Sequence, residues 1–151
     1  MPRIPAVAPS DAGPLVKISY RMARKQLGEV PEPFAVLANH RKLFFASALH
    51  ELAVEKATKV MPPGLIQLAV YRTAWTIGCS WCVDFGEMRM RLDALDIERL
   101  KHIADFESSP AFTDADRAAL HYVSELTEKK QVNPETFRRL AEHYSEREIC
   151  E

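Results

Sequence analysis

The sequence predicts an all-α protein in a chain long enough to bury a sizeable core. Its 151 residues are 47% hydrophobic and 27% charged, which is ordinary for a globular protein. Apolar residues recur at helical spacing along most of the chain, and several of these segments begin with residues that favour helix N-termini. The alternation of apolar and polar residues that is typical of strands does not occur.

Residues 1–13 are predicted to form an extended arm ahead of a single helical domain over residues 14–151. Prolines at positions 2, 5 and 9 fix φ and push the residue before each of them out of the helical region. Pro14 suits the first position of a helix. Apolar residues at helical spacing predict that this helix continues to Gly28.

Two longer apolar segments follow. A helix that begins near Asn39 is predicted to turn one face to the interior, formed by Leu43, Phe44, Ala46, Leu49, Leu52 and Ala53. In the segment 63–78, apolar residues cover nearly every side of the helix, which predicts a buried central helix. Its polar residues Gln67, Tyr71 and Arg72 would then need partners inside the protein.

Helix-start signals mark the last third of the chain. Thr113 precedes an acidic first turn, Asn133 precedes a proline, and Ser145 with Glu148 has the form of a capping box. Three residues follow Glu148, and a helix that short is not stable by itself. The sequence therefore predicts that a C-terminal helix of the functional protein is missing from this chain.

The charge and apolar composition of the chain argue against several classes of partner and location. The formal net charge of -1 provides no basic field that would gather phosphates, so nucleic acid is not an expected partner. No apolar run approaches the roughly 20 residues of a transmembrane helix, so we expect no association with a membrane. The N-terminal segment lacks the apolar core of a secretory signal, and we therefore expect a cytoplasmic protein.

Cys79 and Cys82 are the candidate reactive pair. Three residues apart at the start of a helix, their sulfurs are expected to lie on one side of the first turn, within reach of a disulfide. The free N–H groups of that turn favour thiolate over thiol. Such a thiolate can attack a peroxide, become a sulfenic acid, and be resolved to a disulfide by the second thiol.

Two other interpretations of the cysteine pair stay open. A zinc site would need about four ligands, but His102 is the nearest histidine along the chain and Cys150 is remote. The pair could instead be two small residues that pack at a helix junction. Because thiols are kept reduced in the cytoplasm, the redox interpretation is favoured over a structural disulfide.

The segment 67–82, with the sequence QLAVYRTAWTIGCSWC, resembles the alkylhydroperoxidase D-like branch of the carboxymuconolactone decarboxylase superfamily. Residues 112–120 and 145–151 are also similar to later helices of that family. The resemblance implies an all-helical fold that assembles into homo-oligomers, commonly trimers or hexamers. It also implies thiol-dependent peroxidase or peroxiredoxin-type activity, with Cys82 as the peroxide-reactive cysteine and Cys79 as its resolving partner.

The resemblance is incomplete at the proton relay. Alkylhydroperoxidase members of the family have a glutamate twelve positions before the first cysteine and a histidine four positions after the second, where this chain has Gln67 and Gly86. Gln67 remains a candidate site residue that can hydrogen-bond but cannot titrate. Asp84 and Glu87 could move the proton instead, or they could simply suit the preference of a helix N-terminus for negative charge.

Three further side chains near the cysteines have two interpretations each. Arg72, with Tyr71 beside it, could lower the pKa of the thiols and attract an anionic substrate. Alternatively, Arg72 forms a buried structural pair with Gln67 or with a carboxylate. Trp81 could shape the approach to the sulfurs, or it could serve only in packing.

Together these features predict a thiol-dependent antioxidant oxidoreductase. A hydroperoxide, or the disulfide of a partner protein, would be reduced as Cys79 and Cys82 oxidise. This chemistry requires no organic cofactor and no metal, and a dithiol partner would supply the electrons. Two alternatives are a carboxymuconolactone decarboxylase-type lyase, which needs no cysteine pair, and a non-catalytic oligomeric binding protein, which the incomplete relay favours.

Overall fold

The structure, a computed structural model, describes residues 3–151; Met1 and Pro2 of the predicted arm lie outside the described residues. Over this range the chain forms helices and no strand, which confirms the prediction of an all-α fold. A 3₁₀ helix spans Glu98–His102. The α-helices, in chain order, are α1 (Pro14–Leu27), α2 (Glu32–Leu37), α3 (Arg41–Ala57), α4 (Pro63–Ile77), α5 (Ser80–Leu92), α6 (Asp114–Lys129), α7 (Pro134–Ala141) and α8 (Glu146–Cys150).

By its internal contacts the chain divides into two compact units, one that ends at Ala57 and one that runs from Thr58 to Glu151. Residues 3–13, ahead of α1, contain no helix. The division into an arm and one helical domain over residues 14–151 stays a prediction. None of the helices described for residues 3–151 is both long and apolar enough to cross a membrane.

The first unit is built around an aromatic cluster. Tyr20 of α1 and Phe44 of α3 are both almost completely buried, with ring centroids 6.3 Å apart. Phe34 of α2 packs against both rings. The Tyr20 hydroxyl donates a hydrogen bond of 3.0 Å to the carbonyl of Val7, which attaches the segment before α1 to this cluster.

The predicted interior face of α3 is largely exposed. Phe44 is 0% exposed, whereas Leu43, Leu49 and Leu52 are 54%, 69% and 45% exposed. The physical reason is that α3 packs against α2, whose six residues cover only part of a 17-residue helix. The prediction that the chain itself buries these three leucines is wrong.

The second unit is organised around α4, which packs against α5 and α6. Its core includes Leu68 and Tyr71 of α4, Met90 of α5 and Leu120 of α6. The prediction that α4 is buried on nearly all sides is wrong, because Val70, Trp75 and Ile77 are exposed. Two neighbouring helices cover two sides of α4 and leave a third uncovered.

The predicted helix starts of the second unit are confirmed. Thr113 and Asp116 form a capping box at α6, and the Asn133 side chain accepts a hydrogen bond from the Glu135 N–H at the start of α7. Ser145 and Glu148 form the capping box of α8. These boundaries were predictable because a cap requires only residues a few positions apart in sequence.

A buried carboxylate connects α6 to α7. The Glu125 side chain is 8% exposed, accepts a 2.9 Å hydrogen bond from Lys129 Nζ, and accepts a second from the Asn133 N–H. Hydrogen bonds from Thr136 and Lys129 lower the pKa of Glu125 from 4.5 to about 2. Because the folded state favours the charged carboxylate, its stabilising effect is present above pH 4.5 and is lost as the pH falls from there towards 2.

The variant Glu125→Gln should therefore unfold at a lower temperature than the wild type at pH 7. The difference between their thermal midpoints should shrink as the pH falls from 5 towards 2, since the carboxyl of the unfolded chain takes up a proton near pH 4.5 while that of the folded protein stays charged until about pH 2. The exposed Glu142 provides a matched control, and Glu142→Gln should leave the midpoint unchanged at every pH. A difference for Glu125→Gln that does not vary with pH would show that this carboxylate contributes no charge-dependent stability.

Candidate dithiol site

Gly78, in the left-handed backbone conformation, separates α4 from the helix that carries the two cysteines. Gly78 ends α4 with φ 72° and ψ 28°, a conformation that glycine adopts without the steric cost of a Cβ. The Cys79 N–H then donates a 3.0 Å hydrogen bond back to the carbonyl of Ala74. The chain turns so sharply that Cys79 is already the N-cap of α5, as the sequence predicts.

Cys79 and Cys82 form a disulfide, with their Cα atoms 5.3 Å apart. Both side chains are half-buried at the first turn of α5. The prediction that the two sulfurs lie on one side of this turn is confirmed. The Cys82 N–H donates a 3.3 Å hydrogen bond to Cys79 Sγ, so on reduction a thiolate at Cys79 would be stabilised by this donor and by the helix dipole.

One border of the site is aromatic and accessible to solvent. Trp81 lies between the cysteines in sequence, is 39% exposed and stacks on Phe85 with ring centroids 4.9 Å apart. Ile77, just before the Gly78 turn, is also exposed. Trp81 therefore packs within α5 and still presents apolar surface beside the disulfide.

The candidate relay residues occupy different positions on α4 and α5. Gln67 is half-buried on α4, ten residues or about 15 Å before the end of that helix at Ile77, and its side chain forms no hydrogen bond with another described residue. Asp84 is exposed on α5, and its side chain forms no hydrogen bond or ion pair with another described residue. Glu87 is paired with Arg91 one turn further along α5. The roles predicted for Gln67 and Asp84 stay predictions.

Beside Gly86, where the sequence resemblance implies a relay histidine in other proteins, the space is filled by a side chain from α4. A Cβ atom built on the buried Gly86 would lie 3.2 Å from Cδ2 of Tyr71, which is tighter than an ordinary packing contact. Burial raises the pKa of Tyr71, and the negative charges of Glu87 and Asp84 raise it further, so the phenol stays protonated at neutral pH. A histidine at position 86 would have to displace this ring.

Arg72 has a structural arrangement that the sequence did not specify. It is 7% exposed, and it donates hydrogen bonds to Ser124 Oγ at 2.7 Å and to the carbonyl of Ile103 at 2.9 Å. Its guanidinium also lies over the rings of Trp75 and Phe106, 4.7 and 4.8 Å from their centroids. The predicted pairing with Gln67 or a carboxylate is wrong, because a hydroxyl, a carbonyl and two aromatic faces take that place.

Burial lowers the pKa of Arg72, and the charges of Glu128 and Glu107 oppose that shift. Within the described chain, no carboxylate lies within ion-pairing distance of this guanidinium. No group of three or more His, Cys, Asp or Glu side chains in residues 3–151 is placed to hold a metal ion.

The sequence matches no profile of a known protein family. It is 26% identical over 129 residues to the uncharacterized protein YnjA of Escherichia coli (strain K12), an alignment that covers 85% of this chain and 71% of that protein.

Solved structures resemble the chain more extensively. A cysteine-to-alanine variant of the debrominase Bmp8, bound to 2,3,4-tribromopyrrole, superposes with a TM-score of 0.86 at 20% identity, covering 99% of this chain and 80% of that one. Apo Bmp8 gives 0.84 at 21% identity with the same coverage. A protein of unknown function from Agrobacterium tumefaciens, suggested to be the antioxidant defence protein AhpD, gives 0.64 at 22% identity, covering 76% of this chain and 78% of that one.

These similarities define the class of the fold. The chain has the all-helical fold of alkylhydroperoxidase D-like proteins, with a Cys-x-x-Cys pair at residues 79–82. The resemblance that the segment 67–82 indicates is thus confirmed as a statement about the fold. One protein with this fold is a debrominase, so the fold supports enzymes as well as the suggested antioxidant role.

The contact between Tyr71 and Gly86 predicts an asymmetry between two helical glycines. Gly86→Ala should lower the free energy of unfolding by up to about 2.5 kcal/mol, because overpacking costs about 1–3 kcal/mol and replacing a helical glycine returns only about 0.5–1 kcal/mol. At Gly64 of α4 an added Cβ would meet only Leu95, at 3.9 Å. Gly64→Ala should accordingly be neutral or stabilising in urea unfolding. Equal stabilisation by both substitutions would show that Tyr71 is not held against Gly86.

Proposed function

We propose that this protein is a thiol-dependent oxidoreductase in which Cys79 and Cys82 alternate between dithiol and disulfide. The observation that carries the proposal is the disulfide itself, formed at the accessible first turn of α5 with Cα atoms 5.3 Å apart. A disulfide at a helix N-terminus exchanges readily, because the leaving thiolate is stabilised by backbone N–H groups.

The favoured reaction is reduction of a hydroperoxide. The Cys82 thiolate would attack one peroxide oxygen, the O–O bond would break, and the alcohol would leave with a proton while Cys82 becomes a sulfenic acid. Cys79 would then attack the Cys82 sulfur and release water, so that two thiols and one hydroperoxide yield a disulfide, an alcohol and water. An external dithiol would restore the reduced pair, and a disulfide of a partner protein could enter the same cycle.

The assignment of Cys82 as the attacking sulfur rests on the resemblance to the family. The hydrogen bond from the Cys82 N–H favours a thiolate at Cys79. These two arguments are compatible, because a resolving thiol is also more effective as a thiolate. Asp84 does not face Cys82, since residues two apart on a helix point in different directions, and it would therefore assist proton transfer through water.

A second candidate is reductive removal of a halogen from an aromatic ring. The structure of the debrominase Bmp8 favours this candidate, because it superposes on 99% of the present chain. The protein suggested to be AhpD superposes on 76% of the present chain. Two thiols and one aryl bromide would yield a disulfide, the debrominated ring and hydrogen bromide. The cysteines undergo the same two-electron oxidation in both reactions. A lyase or a non-catalytic binding protein would need neither cysteine.

We further propose that the protein acts in the cytoplasm as a homo-oligomer, a trimer or hexamer. The exposure of Leu49 and Leu52 on α3 supports association, since apolar surface commonly marks an interface.

Single cysteine substitutions test the proposed cycle. Cys82→Ser should reduce hydroperoxide consumption to the rate of the uncatalysed reaction, because it removes the attacking sulfur. Cys79→Ser should leave a sulfenic acid or a mixed disulfide on Cys82, which mass spectrometry can identify after treatment with hydroperoxide. The exposed third cysteine offers a matched control, and Cys150→Ser should behave as the wild type.

Several outcomes would contradict the proposal. If alkylation of the reduced protein shows Cys79 reacting first and Cys82 inert, the two roles are reversed. If neither hydroperoxide nor 2,3,4-tribromopyrrole oxidises the pair, the protein is not a reductase of either class. An activity that survives both cysteine substitutions would indicate a lyase.

A further inference from the structure

An apolar stripe runs along the whole of α5, starting beside the disulfide. Its members follow one another at intervals of four, three and four residues, which places them on one face of the helix; they are Trp81, Phe85, Met88 and Leu92. Trp81 is 39% and Leu92 53% exposed, and the two residues between them are half-buried. The chain therefore leaves this face of α5 partly open to solvent.

The other side of α5 is the one that packs on α4. Gly86 and Met90 are buried there, with Gly86 against the ring of Tyr71. The helix thus has two apolar faces, and its own chain covers only one of them. A second face whose apolar residues are spaced by four and three is typical of a helix that pairs with another helix.

The stripe is complementary to itself when a second copy of α5 runs in the opposite direction. With the two-fold axis between positions 86 and 87, Trp81 faces Leu92 of the second copy, and Phe85 faces Met88 of the second copy. Each ring then packs against a flexible side chain. In a parallel pair every residue would meet its own copy, so two indoles would share one layer and the helix dipoles would repel each other.

The charges on one flank of the stripe also match in the antiparallel pair. Asp84 and Arg91 each immediately precede a stripe residue and lie on the same flank, so the two-fold axis brings Asp84 of each copy near Arg91 of the other. The Asp84 side chain is exposed and has no ion-pair partner among the described residues. Arg91 is paired with Glu87 in its own copy, but exposed pairs within a helix are weak, and a guanidinium has donors for a second carboxylate.

The opposite flank of the stripe contains the reactive pair. Cys82 immediately follows Trp81, and Arg89 immediately follows Met88. The same two-fold axis therefore brings Arg89 of the second copy near Cys82. In its own copy Arg89 is paired with Asp93 at 3.3 Å, and both side chains are partly exposed, so the guanidinium can also interact across the interface.

We propose that two copies of the protein associate through antiparallel α5 helices, and that Arg89 of each copy places positive charge beside Cys82 of the other. This interface rests on the proposed homo-oligomer and is independent of the reaction that the cysteines perform. A two-fold interface occurs in a hexamer built from three dimers and is absent from a trimer, so it selects the hexamer of the two proposed assemblies. The added positive charge favours the thiolate of reduced Cys82.

Charge reversal across the interface tests the pairing. Asp84→Arg and Arg91→Asp each place like charges opposite one another twice in the two-fold interface. Each should weaken the association about tenfold or more and lower the mass measured by sedimentation velocity towards half. The double variant Asp84→Arg, Arg91→Asp restores opposite charges and should restore the wild-type mass, with circular dichroism used to verify the fold.

A matched control is Glu142→Arg, which makes the same change of charge at an exposed residue outside α5 and should leave the mass unchanged. A wild type that associates, with a double variant no more associated than the single ones, would overturn the inference and leave a homo-oligomer with another interface. A wild type that is monomeric at every concentration would overturn both. Hydroperoxide reduction by such a monomer would still support the proposed reaction.

Disulfide cross-linking tests the direction of the helices. In a chain whose three cysteines are replaced by serine, Trp81→Cys together with Leu92→Cys should form a covalent dimer on oxidation. The two positions are about 16 Å apart along α5, too far to bridge within one chain. Either substitution alone should give no covalent dimer. Dimers from the single substitutions would indicate parallel helices and would overturn the inference.

Arg89→Gln tests the contribution of the second copy to the reactive pair. In the variant Cys79→Ser, Cys150→Ser, where Cys82 is the remaining thiol, it should slow alkylation by anionic iodoacetate about two- to tenfold more than alkylation by neutral iodoacetamide, because it removes a nearby positive charge. With Arg91→Asp added to separate the copies, Arg89→Gln should no longer change the ratio of the two rates. An unchanged ratio in the associated protein, or an equal change in the separated copies, would overturn the role of Arg89.

Discussion

The left-handed conformation of Gly78 determines where α5 begins, and the geometry of the site depends on it. Because the chain reverses within two residues, Cys79 becomes the N-cap of α5 and Cys82 falls on its first turn. The same reversal packs α5 against α4, so that Gly86 meets the ring of Tyr71. A residue with a Cβ at position 78 would find this conformation strained, and a wider turn would separate the cysteines from the α4 side chains.

Two adjacent residues of α4 contact different neighbouring helices. Tyr71 contacts α5, whereas Arg72, one position on, donates to Ser124 of α6 and to the Ile103 carbonyl. A buried guanidinium without a carboxylate would be costly, and the faces of Trp75 and Phe106 offset part of that cost. The directional hydrogen bonds of Arg72 thereby fix the rotation of α4 about its axis. That rotation sets the position of the Tyr71 ring.

The features predictable from the sequence are those encoded within a few residues. Thr113, Asn133 and Ser145 each cap the helix that follows, and Cys79 and Cys82 meet because a single helical turn brings them together. The all-helical fold class was also predictable, because the sequence lacks the alternation of apolar and polar residues that is typical of strands.

Features that depend on distant parts of the chain could not be predicted in this way. Apolar residues recur along α3, but their spacing cannot show that α2 is too short to cover Leu49 and Leu52. Tyr71 and Gly86 are fifteen positions apart, and only the packing of α4 on α5 shows that one occupies the space of the other. A cavity of about 270 Å³ between α4, α5 and the 3₁₀ helix, lined in part by Tyr71, Ile97 and Leu100, depends on the same long-range packing.

The contact between Tyr71 and Gly86 also constrains how such a site can evolve. An imidazole at position 86 and a phenol at position 71 compete for one volume, so each excludes the other. A lineage that passes from a histidine relay to this arrangement must change both positions. The intermediate with both rings is overpacked, and the intermediate with neither contains a void. Substitutions at the two positions are therefore energetically coupled, and related chains are expected to exchange them as a pair.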